Sequence, residues 1–173
     1  MQRLIRAALL AAVALATLSA NVRCSFGGDP HGSGGGFDTT LVLRDSTGAT
    51  RHDFRLGEPI VLELRVRNRG DWPVTLHFND ARQFDFVVFR AGSAQVAWQW
   101  SEGRAFAQVL TELRFEPRET LTFRIEWNQL TRDGRAAPPG TYEARGALVF
   151  PGFDRDPLAR HELGSMLEQF TLR

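Results

Sequence analysis

From Leu41 to Leu172 nearly every apolar stretch alternates with polar residues at a period of two. Successive side chains of a strand point to opposite faces, so a stretch of this kind buries one face and wets the other. Ile60, Leu62, Leu64 and Val66 point one way and Glu63, Arg65 and Arg67 the other, which predicts a half-buried strand with a solvated outer face. Leu41 and Leu43 open an earlier strand, and Val74, Leu76 and Phe78 form the next inner face. Strands follow over Phe84 to Phe89, Gln95 to Trp100, Leu113 to Phe115, Leu121 to Trp127, Tyr142 to Phe150 and around Phe170 and Leu172. Turn signals separate them: Ser46-Thr47-Gly48, Arg69-Gly70-Asp71, Ala91-Gly92-Ser93, Glu116-Pro117-Arg118-Glu119 and Pro138-Pro139-Gly140. About eight short strands at this spacing predict an all-β chain, an immunoglobulin-like antiparallel β-sandwich. One segment departs from the period. Asp156-Pro157, then Leu158 to Leu163, then Gly164 has an N-cap, a proline at the first helical position and a glycine stop, predicting a short helical insertion near the C-terminus.

The ends of the chain set the expected domain organisation. Met1 to Arg6 is basic, Ala7 to Leu18 is apolar, and Ser19-Ala20 is small, the layout of a secretory signal peptide over residues 1–20. Residues 21–37 are rich in Gly, with Ser25, Ser33 and Asp29 among them, and predict a flexible linker; 38–173 is the folded domain. The expected destination is therefore periplasmic or extracellular. Cys24 is the only cysteine, which rules out an intrachain disulfide. Two readings of it stay open: an unpaired thiol, or a lipid anchor that would make the membrane a partner. The Gly-rich tether fits the anchor, and Asn21-Val22-Arg23 in front of Cys24 does not.

Charge and motif content exclude several function classes. All 21 basic residues are Arg, so a Schiff-base or P-loop lysine is impossible. Loss of residues 1–20 removes Arg3 and Arg6 and no acid, leaving 19 basic against 20 acidic residues. A near-neutral domain lacks the basic footprint that nucleic acid requires. His31, His52, His77 and His161 are scattered with no ligand at metal-binding spacing, and neither G-x-S-x-G nor H-E-x-x-H occurs. The reading calls for no enzyme activity, no metal and no cofactor.

The block from Phe84 to Gln108 is the least generic part of the chain. Phe84, Phe86 and Val88 share one side of a strand, and Val96, Trp98 and Trp100 share one side of the next. Asp85, set between Phe84 and Phe86, is a carboxylate that needs donors, which Ser101 and Gln108 in the following turn can supply. Tyr142, the only tyrosine, follows Pro139-Gly140-Thr141 in the manner of a tyrosine corner. The order Phe84-Asp85-Phe86-Val87-Val88, Trp98 to Ser101, Gly103, Phe106 and Gln108 resembles the intracellular proteinase inhibitor family of the BsuPI type. Gly57-Glu58-Pro59-Ile60, Asn68, Val74, Leu76 and Phe78 upstream fit the same family, as do Leu113, Glu119, Phe123, Trp127 and Pro139 to Tyr142 downstream. The likeness covers most of residues 38–150. Arg118 departs from it, standing where the family turn usually has Gly, and the export segment departs from the word "intracellular".

The resemblance implies a proteinase inhibitor, with a subtilisin-type serine protease as the expected partner. An inhibitor of the substrate-mimicking kind offers a stiff convex loop, because rigidity limits the entropy lost on binding. Two loops qualify: Asp133 to Pro139, with Arg135, Ala136 and Ala137 as contacts, and Ser101 to Ala105, with Ser101, Gly103 and Arg104. The residues alone do not choose between them. The alternative function is an extracytoplasmic interaction domain of the cell envelope that inhibits nothing.

Overall fold

Alternation of Ile60, Leu62, Leu64 and Val66 builds the central strand of the first sheet. In a computed structural model, which describes residues 36–149, 155–157, 161 and 163–173, β3 (Ile60–Asn68) lies between β1 (Phe37–Arg44) and β8 (Thr120–Trp127), both antiparallel to it. A five-stranded sheet faces it, in the order β2 (Asp53–Phe54), β10 (Glu168–Leu172), β9 (Gly140–Leu148), β5 (Phe84–Arg90) and β6 (Val96–Gln99). β4 (Val74–Phe78) and β7 (Thr111–Phe115) form a separate antiparallel pair. The inner faces of the two larger sheets interdigitate Leu41, Leu43, Ile60, Leu62, Leu64 and Trp127 with Phe86, Val88, Tyr142, Ala144 and Phe170, all buried. This is an all-β immunoglobulin-like sandwich, with β2 running parallel to β10 at the edge of the second sheet.

Ten strands are present among the described residues. β2 escapes a period-based reading because two residues show no alternation. Phe37, assigned above to the linker, belongs to β1: it is buried and packs edge-on against Phe115 at 5.0 Å. The expected signal peptide and the rest of the linker, apart from Gly36, lie outside the described residues. No helix occurs among the described residues. Of the segment expected to be helical, Asp156, Pro157, His161, Leu163 and Gly164 are described and none is helical; Leu158 to Arg160 and Glu162 lie outside. Gly164 instead bridges Ala147 of β9, and Arg145 donates from Nη1 to Pro157 O at 2.6 Å. At Leu163 and Gly164 backbone pairing to β9 takes the place of the expected helix stop.

The outer face of β3 also differs from expectation. Glu63 points outward but is fully buried, under Arg44, Arg65 and Arg124 from three neighbouring positions. Their guanidiniums hold its pKa down to about 2, with the Arg44 hydrogen bond the largest cause. Three arginine stems cover what alternation alone marks as wet.

Candidate functional site

Asp85 is the polar centre of the aromatic block. It is completely buried on β5 and makes bonds with both oxygens. Its Oδ1 accepts from Phe86 N (2.8 Å) and Ser101 N (3.1 Å), and its Oδ2 from Ser101 Oγ (2.5 Å) and Gln99 Nε2 (2.7 Å). Arg82 Nη1 stands 3.8 Å from the same oxygen. Donors in this number replace the hydrogen bonds to water that a buried carboxylate gives up. Ser101 is one of the two expected donors. Gln108 is not: its amide lies in an exposed segment and donates to Phe106 O at 3.3 Å. Gln99 takes that role because it stands opposite Val87 on the face that carries Asp85. The carboxylate thus anchors the start of the 101–105 turn, and Ser101, 8% exposed, is spent inside the fold.

The tryptophans line the other face of the same hairpin. Trp98 stands opposite Val88 and lies 5.9 Å from Trp127 in the first sheet. Trp100 stacks on Phe84 at 4.7 Å and meets Phe106 at 5.6 Å. Val96 does not share their register, because the ladder shifts between Val88 and Phe89 and sets Val96 opposite Phe89. Phe84, Phe86, Trp98, Trp100 and Phe106 thus form a packed aromatic wall, which fixes the base of the turn above it.

That turn is tight. Arg104 N donates to Ser101 O (3.1 Å), and Gly103 sits at φ 72°, a left-handed value that glycine adopts without strain. Arg104 is held down: its Nε donates to Trp100 O at 2.8 Å and its guanidinium lies 4.9 Å above the Trp100 ring.

The second expected loop is the tip of a short ribbon. Ala137 N donates to Gln129 O, Leu130 bridges Ala136, and Thr131 N donates to Arg135 O at 2.8 Å. Gly134 N closes the turn on Thr131 O at φ 75°. Thr131 Oγ1 donates to Asp133 Oδ1 and lies 2.9 Å from Arg135 O, and this hydroxyl holds the Asp133 carboxyl below the usual carboxylate range. The ribbon is rooted in the core through Trp127 Nε1, which donates to Leu130 O at 2.8 Å. Its tip carries Arg135 with a side chain 85% exposed, and Ala136 beside it is exposed too. Ala137 is not a surface contact: it is 2% exposed and part of the core, because the strand pairing with Gln129 turns it inward.

The two loops are neighbours, which the sequence does not reveal. Arg132 N donates to Ala97 O on β6, and its guanidinium clamps Glu102 Oε1 at 2.5 and 2.8 Å. Arg132 and Glu102 are therefore site residues absent from the sequence reading. The signal for the ribbon is present as Asp133-Gly134, a common hairpin dipeptide. The tyrosine corner is formed: Tyr142 Oη donates to Pro138 O at 2.7 Å, holding the chain that leaves the ribbon. Among the described residues no group of three or more His, Cys, Asp or Glu is placed to hold a metal ion.

A family model described as BsuPI, intracellular proteinase inhibitor, matches residues 49–151. No curated protein matches the chain in sequence. Solved structures with a similar arrangement include a β-glucosidase from Erythrobacter marinus, at 15% identity and TM-score 0.45, covering 80% of this chain and 16% of that one. The alkylpurine DNA glycosylase AlkC of Pseudomonas fluorescens gives 13% and 0.46, with 82% and 32% covered. A CARDB domain from Pyrococcus furiosus gives 12% and 0.38, with 79% and 94% covered. The chain spans about a sixth of the glucosidase and a third of the glycosylase, and likenesses this distant carry no argument about activity.

Proposed function

Because the chain belongs to the intracellular proteinase inhibitor (BsuPI) family, we propose that it binds a subtilisin-type serine protease non-covalently, offering the 131–136 ribbon tip to the enzyme's cleft. The observation that carries this reading is the contrast between an exposed side chain and a tied backbone at Arg135. The Arg135 side chain is 85% exposed, with its Nε 3.3 Å from Asp133 Oδ2 at the ribbon surface, while its carbonyl accepts from Thr131 N. A carbonyl held inside the ribbon is not offered for nucleophilic attack, so the loop fills a pocket without being cut. The bonds that tie the ribbon also reduce the entropy lost on docking. Arg104 is the weaker contact of the pair, since its guanidinium is already engaged with Trp100. The 101–105 turn then acts as a flank, joined to the ribbon by Glu102 and Arg132. Specific interfaces need roughly 800 Å² per partner, more than one loop tip supplies, and two adjacent loops answer that need.

The test is a titration of the chain against subtilisin-, trypsin- and elastase-like proteases, reading residual activity and the integrity of the domain. The reading expects a one-to-one endpoint for at least one class, with no cut between Arg135 and Ala136. Full residual activity across the panel overturns it. The basic and apolar residues 1–18 followed by Ser19-Ala20 favour a second reading, an exported interaction domain of the cell envelope without inhibitory activity. Full residual activity is the outcome that reading expects.

A further inference from the structure

An unpaired sheet edge invites another strand, and proteins ordinarily blunt such edges with bulges, prolines or covering segments. Of the four edges of the two larger sheets, two are blunted and a third is capped at one end. β6 carries a register shift and gives Ala97 O to Arg132 N, β1 gives Leu43 O to Arg51 N, and β2 is two residues long. β8 is different. It pairs with β3 over all eight residues without a shift and contains neither proline nor glycine. Asn68 N donates to Glu119 O, which fixes the phase: odd-numbered residues of β8 bond β3, and Thr120, Thr122, Arg124 and Glu126 direct N–H and C=O away from it. Among the described residues no backbone group meets them. On the inner side Leu121, Phe123 and Ile125 are only partly buried where they pack against the core.

We propose that β8 pairs with β8 of a second copy about a two-fold axis at Ile125, making one continuous six-stranded sheet. Charge chooses this occupant and this register. The free groups sit on even-numbered residues, so an antiparallel partner must set even opposite even. An axis at Arg124 or at Glu126 opposes like charges, and one at Phe123 sets Arg124 against Thr122. The axis at Ile125 alone places Arg124 opposite Glu126 of the second copy, and does so twice. Cross-strand pairs of opposite charge stabilise a sheet and like pairs destabilise it. Glu126 is exposed and, among the described residues, has no ion pair of its own. Arg124 has spare charge to offer, because Glu63 is already met by Arg44 and Arg65. Such an interface is isologous and closes at two copies. It is independent of the inhibitor reading, since neither loop takes part.

The test is sedimentation velocity on the intact chain from about 10 μM to about 1 mM, the range in which a small interface associates. The expected result is a reversible monomer–dimer equilibrium. Arg124→Glu and Glu126→Arg should each remain monomeric at least tenfold beyond the wild-type midpoint. Mixed in equal amounts, the two variants should associate again, because an edge with two acids then faces an edge with two arginines, and both cross-strand pairs are of opposite charge. Thermal unfolding of Glu126→Arg, which breaks no ion pair of the monomer, shows that loss of the dimer is not loss of the fold. A wild-type chain that stays monomeric, or single variants that dimerise as well as wild type, would overturn the proposal.

Discussion

Single residues at the centre of the aromatic block carry more constraint than their number suggests. Asp85 is readable as a buried acid in need of donors, because it interrupts an apolar strand next to a turn with hydroxyl and amide groups. Which amide answers it is not readable: Gln99 and Gln108 differ only in which one the ladder sets beside Val87. Replacing Asp85 by Ala leaves Ser101 N, Ser101 Oγ and Gln99 Nε2 without their acceptor in a closed interior. We expect a loss of about 3–5 kcal/mol in chemical denaturation, the range for removing one member of a buried charged network. A loss under about 1 kcal/mol would mean that the network contributes little. Arg118 shows the opposite relation between type and place. It stands where the family turn usually has Gly, adopts φ 63°, and donates to Asp71 at 2.7 and 2.9 Å. A left-handed residue costs about 1–2 kcal/mol, which the exposed ion pair offsets only in part.

At the scale of strands and turns, alternation locates most elements and leaves their neighbours undetermined. It cannot show that Glu63 is closed over, because the arginines responsible come from β1 and β8 as well as β3. That cluster makes a pH prediction. Glu63 has a folded pKa of about 2 against an ordinary 4.5, so its contribution to stability is complete above pH 4.5 and disappears as pH falls from 4.5 through 2. The contribution is on the order of 3 kcal/mol. Unfolding curves of wild type and Glu63→Gln should therefore converge between about pH 5 and pH 2, with wild type the more stable at neutral pH. Parallel curves over that interval would contradict the assignment. The sequence marks Asp133 to Pro139 as a loop, two prolines included, and the stiffness of its tip comes from pairing to Thr131, the Gly134 turn and the root at Trp127. Ala137 is misplaced for the same reason: without the pairing to Gln129, its inward turn cannot be seen.

The whole molecule depends on which strands meet, and the class of fold is legible where that order is not. Short strands, turn spacing and the tyrosine corner point to an immunoglobulin-like sandwich. The partnership of β5 with β9, and the convergence of the 101–105 and 131–136 loops at β6, come from contacts between positions 30 or more residues apart. Chain-wide alternation is blind to such contacts. The convergence brings one stiff tip with an exposed arginine beside a second turn seated on an aromatic wall, the surface proposed above for the protease that family membership implies. The most direct measurement is the inhibition constant of wild type and Arg135→Glu against whichever protease the chain inhibits, with thermal unfolding of both. Arg135 lies outside the core and bonds the ribbon through its carbonyl, and its side chain adds only an exposed ion pair with Asp133, so it is expendable to the fold. The expected result is an inhibition constant raised about 30- to 1,000-fold, the range for a binding hot spot, with unfolding essentially unchanged. An unchanged inhibition constant would contradict the assignment of the ribbon tip as the inhibitory segment.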